Sequence, residues 1–310
     1  MPVQVRCPHC AILSQIADAD IGRLVQCGKC GRPFTTRPGT SVPAAPAGVC
    51  RLEIASATTR GMIRGRNEDS FLVQQMSWSN RDERHEIALI VVPDGMGGHA
   101  GGDEASGIVI RQALSALAPL LNSAPSGRFK DATPSMLADT IDFAILEANR
   151  AVFRKAKEDG PFKGMGATAA VLLVWDLKVL IGHVGDCRVY HHNRGKLSCV
   201  TKDQTLVARM VELGQLTPEE AAVHPRRNEV TQALGKHFDV KPARYELTIA
   251  AGDWLIVATD GLTAHITDSD LGSLVRKSLL SAAVLANQLV ETVNARGGSD
   301  NCTVVIIRCY

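Results

Sequence analysis

Several short stretches of the chain bring a carboxylate to the end of an apolar run. "LIVVPDGMGGHAGG" (Leu89 to Gly102) reads as a buried strand that stops on Asp94 among glycines. "LIVATDGL" repeats the arrangement with Asp260, "VLIGHVGDCRVY" places Asp186 after another apolar run, and "GGSDNCTVVIIR" sets Asp300 just before one. "RGRNEDSFLV" adds Glu68 and Asp69 at the entry of a further strand. Taken singly, an Asp-Gly step reads as a hairpin turn, because Gly accepts positive φ without strain. Gly95 to Ala100 also fits the G-x-G-x-x-A dinucleotide fingerprint, which needs an acid about 20 residues on for the ribose. The stretch Ala105 to Lys130 contains no Asp or Glu, and Asp94 would repel a pyrophosphate, so that reading fails. Acids at several strand ends meet at one pole of a sheet, where uncompensated they repel by on the order of several kcal/mol. Divalent cations are the natural compensation, and an all-oxygen donor set suits Mg²⁺ or Mn²⁺.

A second constellation lies near the start. Cys7, Cys10, Cys27 and Cys30 form C-x2-C-x16-C-x2-C, each pair beside Gly or Pro. Four thiolates satisfy tetrahedral zinc, and two such pairs in a chain with no secretion signal favour zinc over a redox pair or a disulfide staple. A structural zinc also explains how a segment this short could fold without a sizeable core. The other five cysteines, Cys50, Cys187, Cys199, Cys302 and Cys309, are scattered and are read as reduced, mostly buried small side chains.

These side chains need a scaffold. Residues 1–36 are read as a zinc ribbon, 37–49 as a Pro/Ala-rich linker, and 50–310 as one large domain. Strands are expected near 51–57, 70–76, 86–93, 167–175, 178–184, 187–192, 243–249, 253–259 and 302–309. Helices fit near 102–121, 134–157, 205–213, 218–222, 268–279 and 281–296, with Thr133-Pro134 and Thr217-Pro218-Glu219-Glu220 as start signals. Strands cluster between helical stretches instead of alternating with them, which favours an α+β layered sandwich over a doubly wound parallel sheet. The net charge of +2 gives no sign of a nucleic-acid or membrane surface, and no apolar run reaches bilayer length, so a cytoplasmic protein is expected.

Laid in order, "GMIRGRNEDS", "DGMGGHAGGDEAS", "GMGATAAVLL", "GHVGDCRVY", "TKDQTLVARMVELGQLTPEEAAVHPRRNEVTQALG", "GDWLIVATDGL" and "GGSDNCTVVII" resemble the metal-dependent protein serine/threonine phosphatases of the 2C type in their bacterial form. The likeness covers nearly all of residues 50 to 310. It implies a four-layer αββα sandwich of two antiparallel sheets flanked by helices, with a binuclear Mn²⁺/Mg²⁺ centre at one end. Carried over, Asp94 bridges two ions, the Gly95 carbonyl contacts one, and Asp260 and Asp300 complete the set. Glu68 and Asp69 match acids that hold metal-bound waters or ligate directly, and Asp186 matches a residue that helps hold a third ion. Arg64 matches the arginine that clamps the substrate phosphate, a role suited to a guanidinium's paired donors, whereas Arg66 reads as an ordinary surface arginine. His99 is the nearest general-acid candidate, with metal-bound water as the alternative. The chain departs from the family at Thr59, where an Asp is usual, at Asp203-Gln204-Thr205, where Asp-His-Ser is common, and at Cys187 in place of Ser.

The function so implied is hydrolysis of phosphoserine and phosphothreonine in proteins, a kinase or its substrates, by a metal-activated water, opposing a kinase. The glycines beside Asp94 are expected to let a backbone carbonyl reach the ion and a phosphoprotein approach. The ribbon serves as a docking module, for protein more than for nucleic acid, since it has no basic cluster with interleaved aromatics. Two alternatives remain: a regulatory binding protein on a degenerate scaffold, and a metal-dependent phosphohydrolase of small molecules.

Overall fold

The computed structural model describes residues 3–6, 13–16, 20, 23–35, 51–80, 83–97, 101–126, 132–158, 160–277 and 281–310. The expected linker, Cys7, Cys10, Cys50 and His99 lie outside these residues. The chain divides into two compact units, Met1–Val49 and Cys50–Tyr310. No described helix is long and apolar enough to cross a membrane.

The first unit contains two antiparallel ribbons. β1 (Val3–Arg6) pairs with β2 (Leu13–Ile16), and β3 (Leu24–Gln26) pairs with β4 (Pro33–Thr35). Between β3 and β4 the Cys27 amide donates to the Arg32 carbonyl at 3.1 Å and the Gly31 amide to the Cys27 carbonyl at 2.9 Å. The turn brings Cys27 and Cys30 onto one tight loop, and Gly31 takes the left-handed conformation (φ +68°) that closes it.

The second unit holds two five-stranded antiparallel sheets. One has the order β11-β10-β13-β14-β5, built from β5 (Leu52–Thr59), β10 (Arg188–Asn193), β11 (Lys196–Cys199), β13 (Trp254–Ala258) and β14 (Cys302–Cys309). The other has the order β12-β9-β8-β7-β6, built from β6 (Leu72–Asn80), β7 (Glu83–Met96), β8 (Gly166–Trp175), β9 (Lys178–Val184) and β12 (Ala243–Thr248). The period-2 pattern of the central strands explains the layering. Along β7, Ile87, Leu89 and Val91 face α1 (Gly101–Ser123) and α2 (Pro134–Lys157), while Ala88, Ile90 and Val92 face the opposing sheet. β13 and β14 alternate in the same way: Leu255, Val257, Val305 and Ile307 point between the sheets. Ile256, Ala258, Val304 and Ile306 point toward α6 (Asp268–Lys277) and α7 (Ala282–Ala295). Three apolar layers therefore separate helices, sheet, sheet and helices, and the unit is an αββα sandwich.

Local signals act as expected at several helix starts. Thr133 accepts from the Met136 amide at 3.2 Å with Pro134 in the first turn. Thr217 and Glu220 form a reciprocal capping box on α4 (Pro218–Val223). The hairpin alternative for the Asp-Gly steps falls away: β7 continues through Asp94 to Met96, paired with β8, and Asp260 opens the short helix α5 (Asp260–Thr263). Other expectations are corrected. Strand β6 begins at Leu72, after Glu68 and Asp69, with only a single bridge joining Asp69 to Asp94. The four-residue β11 went unrecognised because it is short and mostly exposed. Cys309 is disulfide-bonded, so the reading of all five scattered cysteines as reduced does not hold.

Candidate metal centre and active site

Antiparallel pairing decides which strand ends share a pole. Asp94 faces Thr168 near the start of β8, Ala258 faces both Val304 and Arg188, and Cys302 faces Thr59. The C-terminal ends of β5, β7 and β13 therefore meet the N-terminal ends of β8, β10 and β14. Asp94, Asp186, Asp260 and Asp300 all lie at that pole, and the bridge to Asp94 brings Asp69 there as well.

The carboxylates feel one another strongly. Burial first, then the charges of Asp69, Asp260, Asp186 and Asp300, raise the Asp94 carboxyl well above the usual range. Burial and then Asp260 push Asp186 up to about 8. Asp69 rises to about 7, chiefly through burial, against the hydrogen bonds of Thr259 and Thr303. Asp260 rises to about 6 through burial and Asp300, partly offset by a hydrogen bond from Asp94. Glu68 is raised more mildly, again first by burial. Like charges crowded out of water hold protons that isolated carboxyls would release.

The donor set fits hard divalent cations. It is all oxygen, and Asp69 Oδ1 is buried with no hydrogen-bond partner while its Oδ2 accepts from Thr259 Oγ1 at 2.9 Å. Among the described residues no three His, Cys, Asp or Glu side chains stand close enough to enclose an ion as they are.

Arg64 sits on the exposed loop before β6, and its Nη2 donates to Asp300 Oδ2 at 2.7 Å. One edge of the guanidinium is thus fixed beside the acids. Arg66 makes only a loose exposed pair with Asp103, at 3.8 Å. The glycines prove to be demanded by backbone crowding. A Cβ on Gly95 would stand 2.0 Å from the Gly102 carbonyl oxygen and 2.6 Å from that of Glu68; one on Gly261 would stand 1.8 Å from the Asn301 carbonyl oxygen. Both contacts are far inside van der Waals distance, so these positions exclude any side chain.

Asn301, Thr259 and Arg188 escaped the sequence reading, whereas Gln204, Cys187 and Thr59 stood in it only as departures from the family. Asn301, almost fully buried, accepts from the Glu68 amide at 2.8 Å and donates to the carbonyls of Arg60 and Arg66 at 2.9 and 2.8 Å. It ties down both sides of the loop that carries Arg64. Its signal was present, as an amide directly after Asp300 at the entry of a buried strand. Thr259 holds Asp69 and also accepts from the Thr303 amide at 2.9 Å. Arg188 grips Asp203 through three contacts, Nε to Oδ1 at 2.9 Å and to Oδ2 at 3.2 Å, and Nη2 to Oδ2 at 2.7 Å. Gln204, where the family often has His, clasps Gly185 reciprocally: its side-chain oxygen accepts from the Gly185 amide at 2.9 Å, and its amide donates to the Gly185 carbonyl at 2.8 Å. Cys187 is fully buried beneath the acids and contacts Thr168 Oγ1 at 3.1 Å; burial, then Asp94, raises its thiol well above its ordinary range. Thr59 accepts from the Gly61 amide at 3.1 Å, a backbone-holding role that needs no charge.

A family model described as protein phosphatase 2C matches residues 66–295. The chain is 33% identical over 255 residues to the serine/threonine protein phosphatase PstP of Mycobacterium tuberculosis, covering 82% of this chain and 44% of that protein, so it spans under half the length of that relative. Among solved structures, the serine/threonine phosphatase of S. agalactiae superimposes with a TM-score of 0.71 at 30% identity, over 83% of this chain and 99% of that one. The catalytic domain of PstP in complex with two manganese ions superimposes with a TM-score of 0.66 at 30% identity, over 84% and 99% of the two chains. With the acids gathered at one pole of an αββα sandwich and a family model matched across most of its length, this chain belongs to the protein phosphatase 2C family.

Proposed function

We propose that the protein is a metal-dependent phosphatase of phosphoserine and phosphothreonine in proteins, opposing a kinase. The observation that carries this is the five-aspartate pole, with an unpartnered buried Asp69 oxygen and Arg64 anchored to its rim. A relative whose structure holds two manganese ions supports the choice of metal. Asp94, Asp260 and Asp300, with the Gly95 carbonyl, would hold the ions. Glu68 and Asp69 would hold coordinated solvent or ligate directly, and Asp186 would help hold a third ion. Bound divalent cations would supply an acidified water and neutralise phosphoryl charge.

The remaining work falls to the chain. Arg64 keeps guanidinium N–H groups beyond the one given to Asp300 and presents them to two phosphoryl oxygens, a geometry that Lys could not reproduce. Asn301 fixes the loop that aims it, and Thr259 holds the Asp69 carboxylate in one rotamer. The proton needed by the departing serine or threonine oxygen is assigned to His99 or to solvent in the site. At the N-terminus, the four-cysteine spacing and the tight Cys27–Cys30 turn support a structural Zn²⁺ held by Cys7, Cys10, Cys27 and Cys30, and a docking role for that unit.

Hydrolysis of a phosphothreonine peptide with Mn²⁺, and its loss in EDTA, is the direct test. Turnover that survives chelation, or an Asp94→Asn protein at full rate, would refute the metal mechanism. Hydrolysis of small phosphate esters but of no phosphopeptide would favour the small-molecule alternative.

A further inference from the structure

A cleft of about 660 Å³ opens beside the acids, between the segment that carries α3 (Leu206–Glu212) and α4 on one side and the residues from α5 to the start of α6 on the other. Asp186, Asp260 and Asp300 line it together with Val207, Val211, Ala222 and Ile266. A space of this size is in the range that takes a ligand of several groups, well beyond one phosphoryl group. Its walls are held in place. Arg188 grips Asp203 at the base of the α3–α4 segment, Gln204 clasps Gly185, and Thr205 caps α3 by accepting from the Ala208 amide at 3.2 Å.

The charges along the cleft are unequal in freedom. Its acids outside the metal set are engaged: Glu212 by Arg209 at 3.0 Å, Asp268 by the Tyr190 hydroxyl at 2.9 Å, and Asp203 by Arg188. Its exposed cations Lys202 and Arg227 form no ion pair among the described residues. An apolar wall, two uncommitted cations and direct continuity with the acid pole describe one kind of occupant.

We propose that this cleft is a substrate subsite, which receives a bulky apolar side chain beside the phosphorylated residue and an acidic side chain further along the same peptide. The proposal rests on the phosphatase reading and names its substrate class. The apolar side chain lies against Val211 and Ala222, over the buried Val207 and Ile266 at the cleft floor, and the acid pairs with Lys202 and Arg227. Specificity of this kind acts through kcat/KM, because the contacts hold the phosphoryl group in register with Arg64.

The test compares three phosphothreonine peptides of equal length with p-nitrophenyl phosphate, all with Mn²⁺. The first carries Leu on both sides of the phosphothreonine and Glu beyond; the second replaces Leu with Gly; the third replaces Glu with Lys. The first is expected to exceed each of the others by about tenfold in kcat/KM. Ala222→Trp, at an exposed position, should bring the Leu-to-Gly ratio toward one, and the double change Lys202→Ala with Arg227→Ala should do so for the Glu-to-Lys ratio. Both are ratios measured on one enzyme preparation, so partial loss of folded protein cancels. Equal kcat/KM for all three peptides, with p-nitrophenyl phosphate hydrolysed, overturns the cleft assignment and leaves the phosphatase reading standing. No Mn²⁺-dependent hydrolysis of any of the four overturns both.

Discussion

Removing divalent cations should make the protein less stable as pH rises. Asp69, Asp186 and Asp260 have carboxyls raised from 3.8 to about 7, about 8 and about 6 in the fold, each mainly by burial. A group whose folded pKa lies above its unfolded value stabilises the fold fully below the unfolded pKa, and that contribution is lost as pH climbs to the folded one. The loss is about 1.4 kcal/mol per pH unit for each acid in that interval. Starting at pH 5.5, Asp69 gives up roughly 2 kcal/mol by pH 7 and Asp186 roughly 3 kcal/mol by pH 8, about 5 kcal/mol together. For a domain of this size that corresponds to a fall in Tm of about 10–20 °C. Thermal melts in EDTA from pH 5.5 to 8.5 should show it, and excess Mn²⁺ should abolish it, with stabilisation by the metal growing across the same window. Asp69→Asn supplies the internal check. Its amide oxygen can still accept from Thr259, and its new N–H groups face carboxylates where Asp69 Oδ1 now has no partner. In EDTA at pH 8 the variant should melt above the unaltered protein, and it should respond less to Mn²⁺. A Tm in EDTA that is flat or rises over this interval, or an Asp69→Asn protein that melts lower, would refute the picture of crowded acids awaiting cations.

Other changes should separate positioning from chemistry. Arg64→Lys keeps the charge but loses the paired donors, and is expected to lower kcat/KM for a phosphopeptide by on the order of tenfold or more without moving Tm. Asn301→Ala leaves the Glu68 amide and two loop carbonyls without partners; on the order of 1–3 kcal/mol of stability should be lost per unsatisfied group, read by urea titration, together with a rise in KM. Gly261→Ala drives a Cβ into the Asn301 carbonyl and should give a protein that melts several degrees lower and turns over poorly; a variant with native Tm and rate would show that the crowding there is relieved at no cost. Thr217→Ala removes the hydroxyl half of the α4 capping box, while the backbone N–H of position 217 still donates to Glu220; it should cost about 1 kcal/mol, confined to that segment and visible by hydrogen exchange.

The sequence alone exposed what is written locally. An apolar run ending on an acid marks a strand end, and Thr-Pro and Thr-x-x-Glu mark helix starts, because each depends on residues a few positions apart. The same pattern picked out the acid set, and the family likeness then assigned each acid a role. Tertiary structure decided the rest, because its contacts join residues that chain distance separates. Asn301 meets Glu68 across 233 positions, and Thr259 meets Asp69 across 190. The crowding that forbids a side chain at Gly95 comes from Glu68 and Gly102 together, a tertiary reason that adds to the metal approach expected of it. One wall of the cleft is tied down by Arg188 on Asp203 and by Gln204 on Gly185, pairs that lie 15 and 19 positions apart in the chain. Spacing and hydropathy tell which residues face inward, but antiparallel register determines which strand ends meet; burial there, and then the neighbouring charges, raise the carboxyl pKa values and create a place for cations.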